Sequence, residues 1–173
     1  TRSPTSSNRS ESAKVRISGS HNTESFHENN RGRILVVDDD PGLLKLLTIR
    51  LRAEQYEVEA VESAEEALGV LTRFRPDLVI SDLRMANMDG IELLEHIKAK
   101  DPDLPVIMMT AHGTVDKAVE AMQKGAYSYI LKPFDNERLT IYVKKAVAMF
   151  QVVKENRRLR NEVKSQYRFG NFT

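Results

Sequence analysis

The sequence of 173 residues predicts an α/β fold: a doubly wound parallel sheet of five strands, flanked by five helices. From Arg33 onwards, short apolar runs alternate with amphipathic stretches of ten or more residues, as is typical of strands joined by crossover helices. The first and last apolar runs are nearly continuous, which is expected when helices cover both faces of the sheet.

The five predicted strands are the apolar runs at 34–37, 56–61, 77–81, 106–109 and 128–131. The first helix has Asp40 as its N-cap and Pro41 at its first position, and leucines recur through it at helical spacing. The second helix begins at a capping box formed by Ser63 and Glu66. Each start places an amphipathic helix shortly after an apolar strand.

Three more helices are bounded by residues that start or stop helices. Residues 91–100 stop before Pro102, because proline prevents continuation. Residues 114–124 end at Gly125, a residue type common just after a helix. The fifth helix starts with Asp135 as its cap.

The composition excludes several classes of protein. The chain has no cysteine, so it has neither a disulfide nor a thiolate zinc site. Its apolar runs are too short to cross a bilayer and its first residues lack a secretory signal, which predicts a cytoplasmic protein without membrane contact. The first strand is followed by acidic residues and not by a glycine-rich loop, so a dinucleotide-dependent oxidoreductase is disfavoured.

The net charge of +1 divides into opposite blocks along the chain. Residues 1–30 are rich in Ser and Asn and poor in apolar groups, which predicts a disordered leader. Residues 31–143, the predicted domain core, carry 14 basic and 20 acidic side chains, whereas 144–168 carry 8 and 2. The acidic balance argues against a nucleic-acid surface on the core. The basic segment 144–168 is interpreted as an extended helix that links the core to another element.

Groups suited to phosphoryl chemistry follow the predicted strands. They are Asp38 and Asp39 after the first strand, Asp82 after the third, Thr110 after the fourth and Lys132 after the fifth. Carboxylates that converge at one sheet edge repel one another unless a cation neutralises them, which predicts a Mg²⁺ site. Asp82 would then be both a metal ligand and a nucleophile. Lys132 would offset the phosphoryl charge, and Thr110 would bond one phosphoryl oxygen.

Four motifs make the sequence resemble the receiver domain of bacterial response regulators. They are ILVVDDD at 34–40, ISDLRM at 80–85 with MDG at 88–90, MTAHG at 109–113 and LKPF at 131–134. The resemblance extends from 33 to about 150 and implies a flavodoxin-like sheet with strand order 2-1-3-4-5. Such a domain is a phosphoacceptor switch and not an enzyme, apart from its own phosphorylation and dephosphorylation.

The resemblance also implies roles for individual residues. Asp82 would accept a phosphoryl group from a cognate sensor histidine kinase. Mg²⁺ would be held by Asp38, Asp39, Asp82 and the backbone carbonyl of Arg84.

The resemblance to this family further implies a conformational switch and a cis peptide bond. Thr110 and Lys132 would sense the phosphoryl group, and Tyr129 would be the switch aromatic that turns inward after Thr110 moves. The bond between Lys132 and Pro133 would be cis. The sequence departs from the family at Ala86, where proline is usual. We expect a looser loop there, with the chemistry unchanged.

The last predicted helix continues far past the domain, from about 136 to 166. Residues at alternating steps of three and four form a heptad seam: Met149, Val152, Asn156, Leu159, Val163 and Gln166. Asn156 lies at a position where a polar residue fixes the register of a parallel dimer. Basic residues, among them Arg157 and Arg158, are expected on the outside of this coiled coil.

Together with the receiver motifs, this tail resembles the NtrC-type activators of sigma-54 RNA polymerase. The resemblance implies that residues 169–173 begin a missing downstream ATPase domain. Contacts with DNA and with sigma-54 RNA polymerase would be made only by such downstream domains. We expect a homodimer, formed through the face of the fourth helix, fifth strand and fifth helix or through the coiled coil.

Other interpretations stay open at this point. A haloacid-dehalogenase-like phosphatase also uses aspartates after its first strand, but Gly42 replaces its expected threonine and Asp82 would have no role. A degenerate receiver would serve only as a dimerisation module, against which the complete set of acidic residues, Thr110 and Lys132 argue. The tail could also be a solvated helix without a partner.

Overall fold

The computed structural model describes residues 30–111 and 115–170, with side chains as far as Gln166. The leader predicted for 1–30, apart from Asn30, lies outside the described residues, and so do His112, Thr114 and the last three residues of the predicted downstream segment. The folded unit begins at Gly32.

Strands and helices alternate along the described chain. The strands are β1 (Arg33–Val37), β2 (Glu57–Val61), β3 (Leu78–Asp82), β4 (Val106–Thr110) and β5 (Ser128–Leu131). The helices are α1 (Pro41–Ala53), α2 (Ala64–Phe74), α3 (Gly90–Lys100), α4 (Val115–Gln123) and α5 (Asn136–Gly170).

The five strands form one parallel sheet in the order β2-β1-β3-β4-β5, which confirms the predicted fold class. Predicted strand boundaries differ from the observed ones by at most one residue. Asp82 and Thr110, expected just after their strands, are the last residues of β3 and β4. Pairing extends this far because the amide of Leu83 still donates to the carbonyl of Met109, at 2.9 Å.

Helices cover both faces of the sheet, each face over its own apolar core. Ile34 and Val36 belong to the core under α1 and α5, whereas Leu35 and Val37 belong to the core under α2, α3 and α4. All four side chains are fully buried, and burial stabilises the fold by roughly 1.5–3 kcal/mol for each. The continuous apolar run of β1 is therefore explained by its central place in the sheet.

The predicted helix caps are confirmed. Asp40 accepts two amides from the first turn of α1, and the hydroxyl of Ser63 accepts the amide of Glu66 at 3.1 Å. Asp89 caps α3 in the same way, and Asp135 accepts an amide from the first turn of α5. Each cap satisfies an amide that the first helical turn leaves without a partner, which contributes about 1 kcal/mol.

Helix α5 is 35 residues long, and its overrun beyond the domain was predicted. Three apolar seam residues on it are strongly exposed: Val152 by 62%, Leu159 by 44% and Val163 by 62%. No helix within 30–111 and 115–170 is both long and apolar enough to span a membrane.

Arg157, expected on the outside of a coiled coil, makes contacts with the domain that the sequence did not predict. Its guanidinium group turns towards the domain and pairs with Asp101 at 2.8 Å and Asp103 at 2.6 Å. These carboxylates lie 56 and 54 residues earlier in the chain, so helical periodicity alone does not reveal the contact.

A glycine lets α3 start directly against β3. A Cβ atom on Gly90 would lie 2.3 Å from the carbonyl oxygen of Asp82 and 2.7 Å from Cε of Met108. The amide of Gly90 also donates to the carbonyl of Leu83 at 3.0 Å. Only a residue without a side chain fits here, and the backbone beside Asp82 depends on it.

Gly90→Ala is expected to destabilise the domain by about 2 kcal/mol or more, because the added methyl group overlaps backbone atoms. Gly69→Ala in α2 is the matched control, since nothing lies within 4 Å of its Cβ position. That change should stabilise the fold by up to about 1 kcal/mol, the helix-propensity difference. Urea denaturation followed by circular dichroism measures both. An unchanged midpoint for Gly90→Ala would contradict the close approach.

Candidate functional site

The predicted site residues lie along the carboxyl edge of the sheet. Asp38 directly follows β1, Asp82 and Thr110 end β3 and β4, and Lys132 directly follows β5. The strand order places β1 next to β3 and β4 next to β5. Residues 94 positions apart in the sequence therefore meet at one edge, as the ion pair of Lys132 with Asp38 demonstrates.

Three carboxyl groups form an acidic cluster at this edge. Asp38, Asp39 and Asp82 each offer an oxygen, and these oxygens lie within 4.8 Å of one another. Asp38 is completely buried and Asp82 is 9% exposed, whereas Asp39 is exposed. The cluster is thus built into the domain on one side and open to solvent on the other.

The ammonium group of Lys132 is the cation of this cluster. It lies 2.8 Å from Oδ2 of Asp38 and 3.3 Å from Oδ1 of Asp82. The amide of Lys132 donates to the carbonyl of Thr110 at 2.6 Å, which fixes the backbone after β5. The following bond, to Pro133, is cis as predicted.

The charges of the cluster are only partly balanced. Burial and the nearby charge of Asp38 raise the pKa of Asp82 above its ordinary value, although Lys132 and the amide of Arg84 oppose this. Burial acts to lower the pKa of Lys132, but its bond to Asp38 and the charge of Asp82 raise it overall. A single ammonium group beside three carboxyl groups leaves the site favourable for a further cation.

The donor set fits Mg²⁺. Hard carboxylate oxygens are its preferred protein ligands, and Mg²⁺ keeps several water molecules, which the exposed side of the cluster admits. The amide of Arg84 donates to the carboxylate of Asp82. The predicted role of the Arg84 carbonyl as a metal ligand stays a prediction.

The two predicted switch residues lie outside the acidic cluster. Thr110 is 1% exposed, and its hydroxyl donates to the carbonyl of Ala111 over a long 3.5 Å. Tyr129 is 38% exposed and lines a surface groove of about 500 Å³ with Phe134 and Tyr142. The structure therefore joins Asp38, Asp39, Asp82 and Lys132 in one site, whereas the hydroxyl of Thr110 bonds a neighbouring carbonyl and Tyr129 lies in the groove.

Sequence reasoning assigned no role to two residues that hold the backbone of Asp82. The buried hydroxyl of Ser81 donates to the carbonyl of Asp82 at 2.9 Å, and Gly90 packs against the same carbonyl. A glycine at the start of a predicted helix was the available signal for the second contact. No sequence pattern indicated the first, because serine one residue before an aspartate has many conformations.

Comparison with known families identifies the family of this domain and agrees with its fold. Residues 34–144 match the family model of the response regulator receiver domain. The match covers more than half of the chain, so this protein belongs to the response regulator receiver family, and the resemblance deduced from the motifs is confirmed. Receiver domains are phosphoacceptor switches in two-component signalling and bind Mg²⁺ through an acidic cluster, to which Asp38, Asp39 and Asp82 correspond here.

Individual relatives are bacterial transcription regulators. The transcriptional regulatory protein GlrR of Escherichia coli is 53% identical over 106 residues, 61% of this chain and 24% of that protein. The DNA-binding transcriptional regulator NtrC of Klebsiella pneumoniae is 42% identical over 121 residues, 70% of this chain and 26% of that protein. The chain therefore spans about a quarter of the length of these curated relatives.

A solved structure is also similar to this chain in sequence and fold. NtrX from Brucella abortus, in complex with ADP, is 35% identical to this chain and superposes with a TM-score of 0.69. The similarity covers 74% of this chain and 30% of that one.

Asp82→Asn is expected to raise the melting temperature of the metal-free protein, because it removes a buried charge beside Asp38. A carboxyl group whose pKa is raised on folding costs stability when it is ionised. The gain should therefore be full at neutral pH and shrink as the pH falls and wild-type Asp82 takes up its proton. Thermal unfolding in EDTA measures this.

Asp40→Asn is the control for this experiment, since Asp40 is exposed and asparagine is an equally good N-cap. Its melting temperature should equal that of the wild type. A lower melting temperature for Asp82→Asn than for the wild type would contradict the unbalanced charge at this edge.

Proposed function

We propose that this domain accepts a phosphoryl group on Asp82 from a sensor histidine kinase and thereby controls the output of a sigma-54-dependent transcription activator. The observation that carries the proposal is the position of Asp82. Its carboxylate lies beside the Lys132 ammonium and two further carboxylates, at an edge open to solvent through Asp39. This is the charge arrangement that phosphoryl transfer to a carboxylate needs.

Different residues of this chain have different roles in the phosphoryl transfer. A carboxylate oxygen of Asp82 attacks the phosphorus of a phosphohistidine; the new O–P bond forms as the P–N bond breaks, and the histidine leaves with its electron pair. Lys132, 3.3 Å from Asp82, offsets the charge of the transferred group. Asp38, Asp39, Asp82 and the carbonyl of Arg84 would hold Mg²⁺, which would supply further positive charge to the phosphoryl oxygens.

The switch is a population shift between two arrangements of Thr110 and Tyr129. The 3.5 Å contact of the Thr110 hydroxyl with a neighbouring carbonyl is long, so little is lost when the hydroxyl turns to a phosphoryl oxygen. Tyr129, half-exposed on the adjacent strand, then moves inward. A phosphoryl group adds nearly two negative charges, which provides the bias between the two arrangements.

Acetyl phosphate with Mg²⁺ is expected to add one phosphoryl group to the protein, measured as intact mass. Asp82→Asn should abolish the gain because it removes the attacking oxygen, and Lys132→Ala should reduce it strongly. Asp40→Asn keeps the gain, since Asp40 caps α1 and lies outside the acidic cluster. EDTA should prevent phosphorylation of every variant.

Two other outcomes would contradict the proposed phosphoryl transfer to Asp82. A wild-type protein that binds Mg²⁺ but gains no mass, from acetyl phosphate or from a bacterial histidine kinase, would contradict the proposed transfer and favour a receiver used only for dimerisation. Turnover of p-nitrophenyl phosphate would favour the phosphatase interpretation.

Two exposed apolar surfaces support homodimer formation. The first combines α4, β5 and the start of α5 and includes Val115, Val119, Met122, Tyr129, Leu131 and Ile141, exposed by 38% to 53%. The second is the seam of Val152, Asn156, Leu159 and Val163 on α5. Several large apolar side chains exposed on one face are typical of a protein interface. We propose that phosphorylation changes how two copies meet at one or both surfaces.

Beryllium fluoride, a phosphoryl mimic, is expected to increase the mass measured by size-exclusion chromatography with light scattering. Val119→Asp tests the first surface and Val163→Asp tests the second, because each introduces a charge into an exposed apolar position. Ser165→Asp adds the same charge to α5 away from the seam and should have no effect. Identical masses for all proteins, with and without the mimic, would contradict dimer control.

The output lies beyond the domain. Relatives named as transcription regulators are about four times longer than the part matched here, and the related NtrX structure is described with bound ADP. These facts support an ATPase and a DNA-binding domain that follow residues 169–173. Contacts with DNA and sigma-54 RNA polymerase belong to those domains in this proposal.

A further inference from the structure

Helix α5 passes from one layer of the domain to the other across an end of the sheet. Ala146 and Val147 pack into the core under α1 and α5. One turn later, Phe150 packs into the opposite core, under α2, α3 and α4, and Val153 lies against that core. The long helix is therefore part of both layers before it leaves the domain.

Two cations on this part of α5 bind acidic loops. Lys154 pairs with Asp77, which directly precedes β3 and whose side chain is only 6% exposed. Arg157 donates to Asp101 at 2.8 Å and to Asp103 at 2.6 Å, both between α3 and β4. These loops lie at the amino ends of β3 and β4, so the contacts are at the opposite end of the sheet from the acidic cluster.

The ring of Phe150 joins the two ion pairs. It is 4% exposed, and Nζ of Lys154 and Cζ of Arg157 lie 5.5 Å and 5.8 Å from its centroid, within cation–π range. Gly32 admits the helix so closely that a Cβ atom there would lie 2.7 Å from Cγ1 of Val147.

We propose that Phe150, Lys154 and Arg157 form a clamp that fixes the rotation and the exit direction of α5, so that the helix as far as Arg157 moves as one body with the receiver. The proposal rests on the proposed function only in taking α5 as the output element. The geometry of the clamp itself is independent of phosphorylation.

Helical spacing explains why the clamp determines which face of α5 is accessible to a second copy of the chain. Steps of four and three residues place Phe150, Lys154 and Arg157 on one face of α5. Val152 and Leu159 lie on the opposite face and are exposed. With the first face held by the receiver, the seam must point away from the domain, where a second copy can pair with it.

Separate exposed ion pairs contribute little, but these two pairs share the buried ring of Phe150, and the carboxylate that pairs with Lys154 is nearly buried. Burial acts to raise the pKa of Asp101, yet hydrogen bonds from Arg157 and from the amide of Asp103 lower it overall. Asp101 is therefore ionised at neutral pH, as the clamp requires.

A matched control exists on the same helix. Arg158 pairs with Glu155 and Glu162, which are both on α5, and Lys164 is exposed. Arg158→Gln with Lys164→Gln therefore removes the same charges as Lys154→Gln with Arg157→Gln, without touching the receiver.

Pulsed electron–electron double resonance, which measures the distance between two spin labels, tests the clamp in the full chain. The chain has no cysteine, so Gln123→Cys on α4 and Ser165→Cys on α5 provide two unique spin-label sites. Labelled protein is diluted with unlabelled protein so that distances within one copy are measured. We expect a narrow distance distribution in the labelled protein without further substitutions and in the control variant Arg158→Gln/Lys164→Gln. The distribution in Lys154→Gln/Arg157→Gln should be broad or displaced.

Equal distributions in all three proteins would overturn the proposal. Arg157→Gln alone, at a half-exposed position, is a milder variant and should give an intermediate width. Acetyl phosphate should phosphorylate every variant equally, which also verifies folding, because Asp82 lies at the other end of the sheet. If no variant is phosphorylated, the proposed function fails, and the distances still decide whether the clamp exists.

Discussion

The pairing of Lys132 with Asp38 and Asp82 is the interaction on which the functional edge of this domain depends. Two almost fully buried carboxylates lie side by side there, and without the ammonium group their repulsion would be uncompensated. Removing Lys132 would leave both carboxylates without a cation, and an uncompensated buried charge typically costs about 3–5 kcal/mol. Because Lys132 follows β5, the charge balance of the site also requires the correct order of all strands between β1 and β5.

This dependence explains which features could be predicted from sequence. Apolar periodicity and cap chemistry act over a few residues, so the strands and the caps at Asp40 and Ser63 were predictable. The convergence of Asp38, Asp82 and Lys132 was predictable because the carboxyl ends of parallel strands meet at one edge. The resting positions of the Thr110 and Tyr129 side chains were not, because a rotamer choice between near-equal contacts leaves no trace in a residue pattern.

The contacts of α5 were hidden from the sequence for a different reason. Whether Arg157 points outward or towards Asp101 depends on the angle at which a long helix crosses the sheet, and that angle is set by Phe150 and Gly32 more than a hundred residues apart. Heptad spacing correctly identified an exposed seam. It gave no information about the opposite face, which a charged residue can use for a distant loop as well as for solvent.

The acidic cluster with Asp82 and the proposed clamp lie at opposite ends of one sheet, and this separation would suit a switch. From Arg157 to Gly170 the helix continues for about 20 Å at 1.5 Å per residue. With the clamp as a fixed pivot, a tilt of about 5° would move its end by about 2 Å, comparable to the helix shifts that repack subunit interfaces. If the helix rotated freely where it leaves the domain, that rotation would mask so small a displacement of its end. In the mechanism we propose, the clamp would therefore let a small rearrangement near Asp82 reach a second copy as a defined change in geometry.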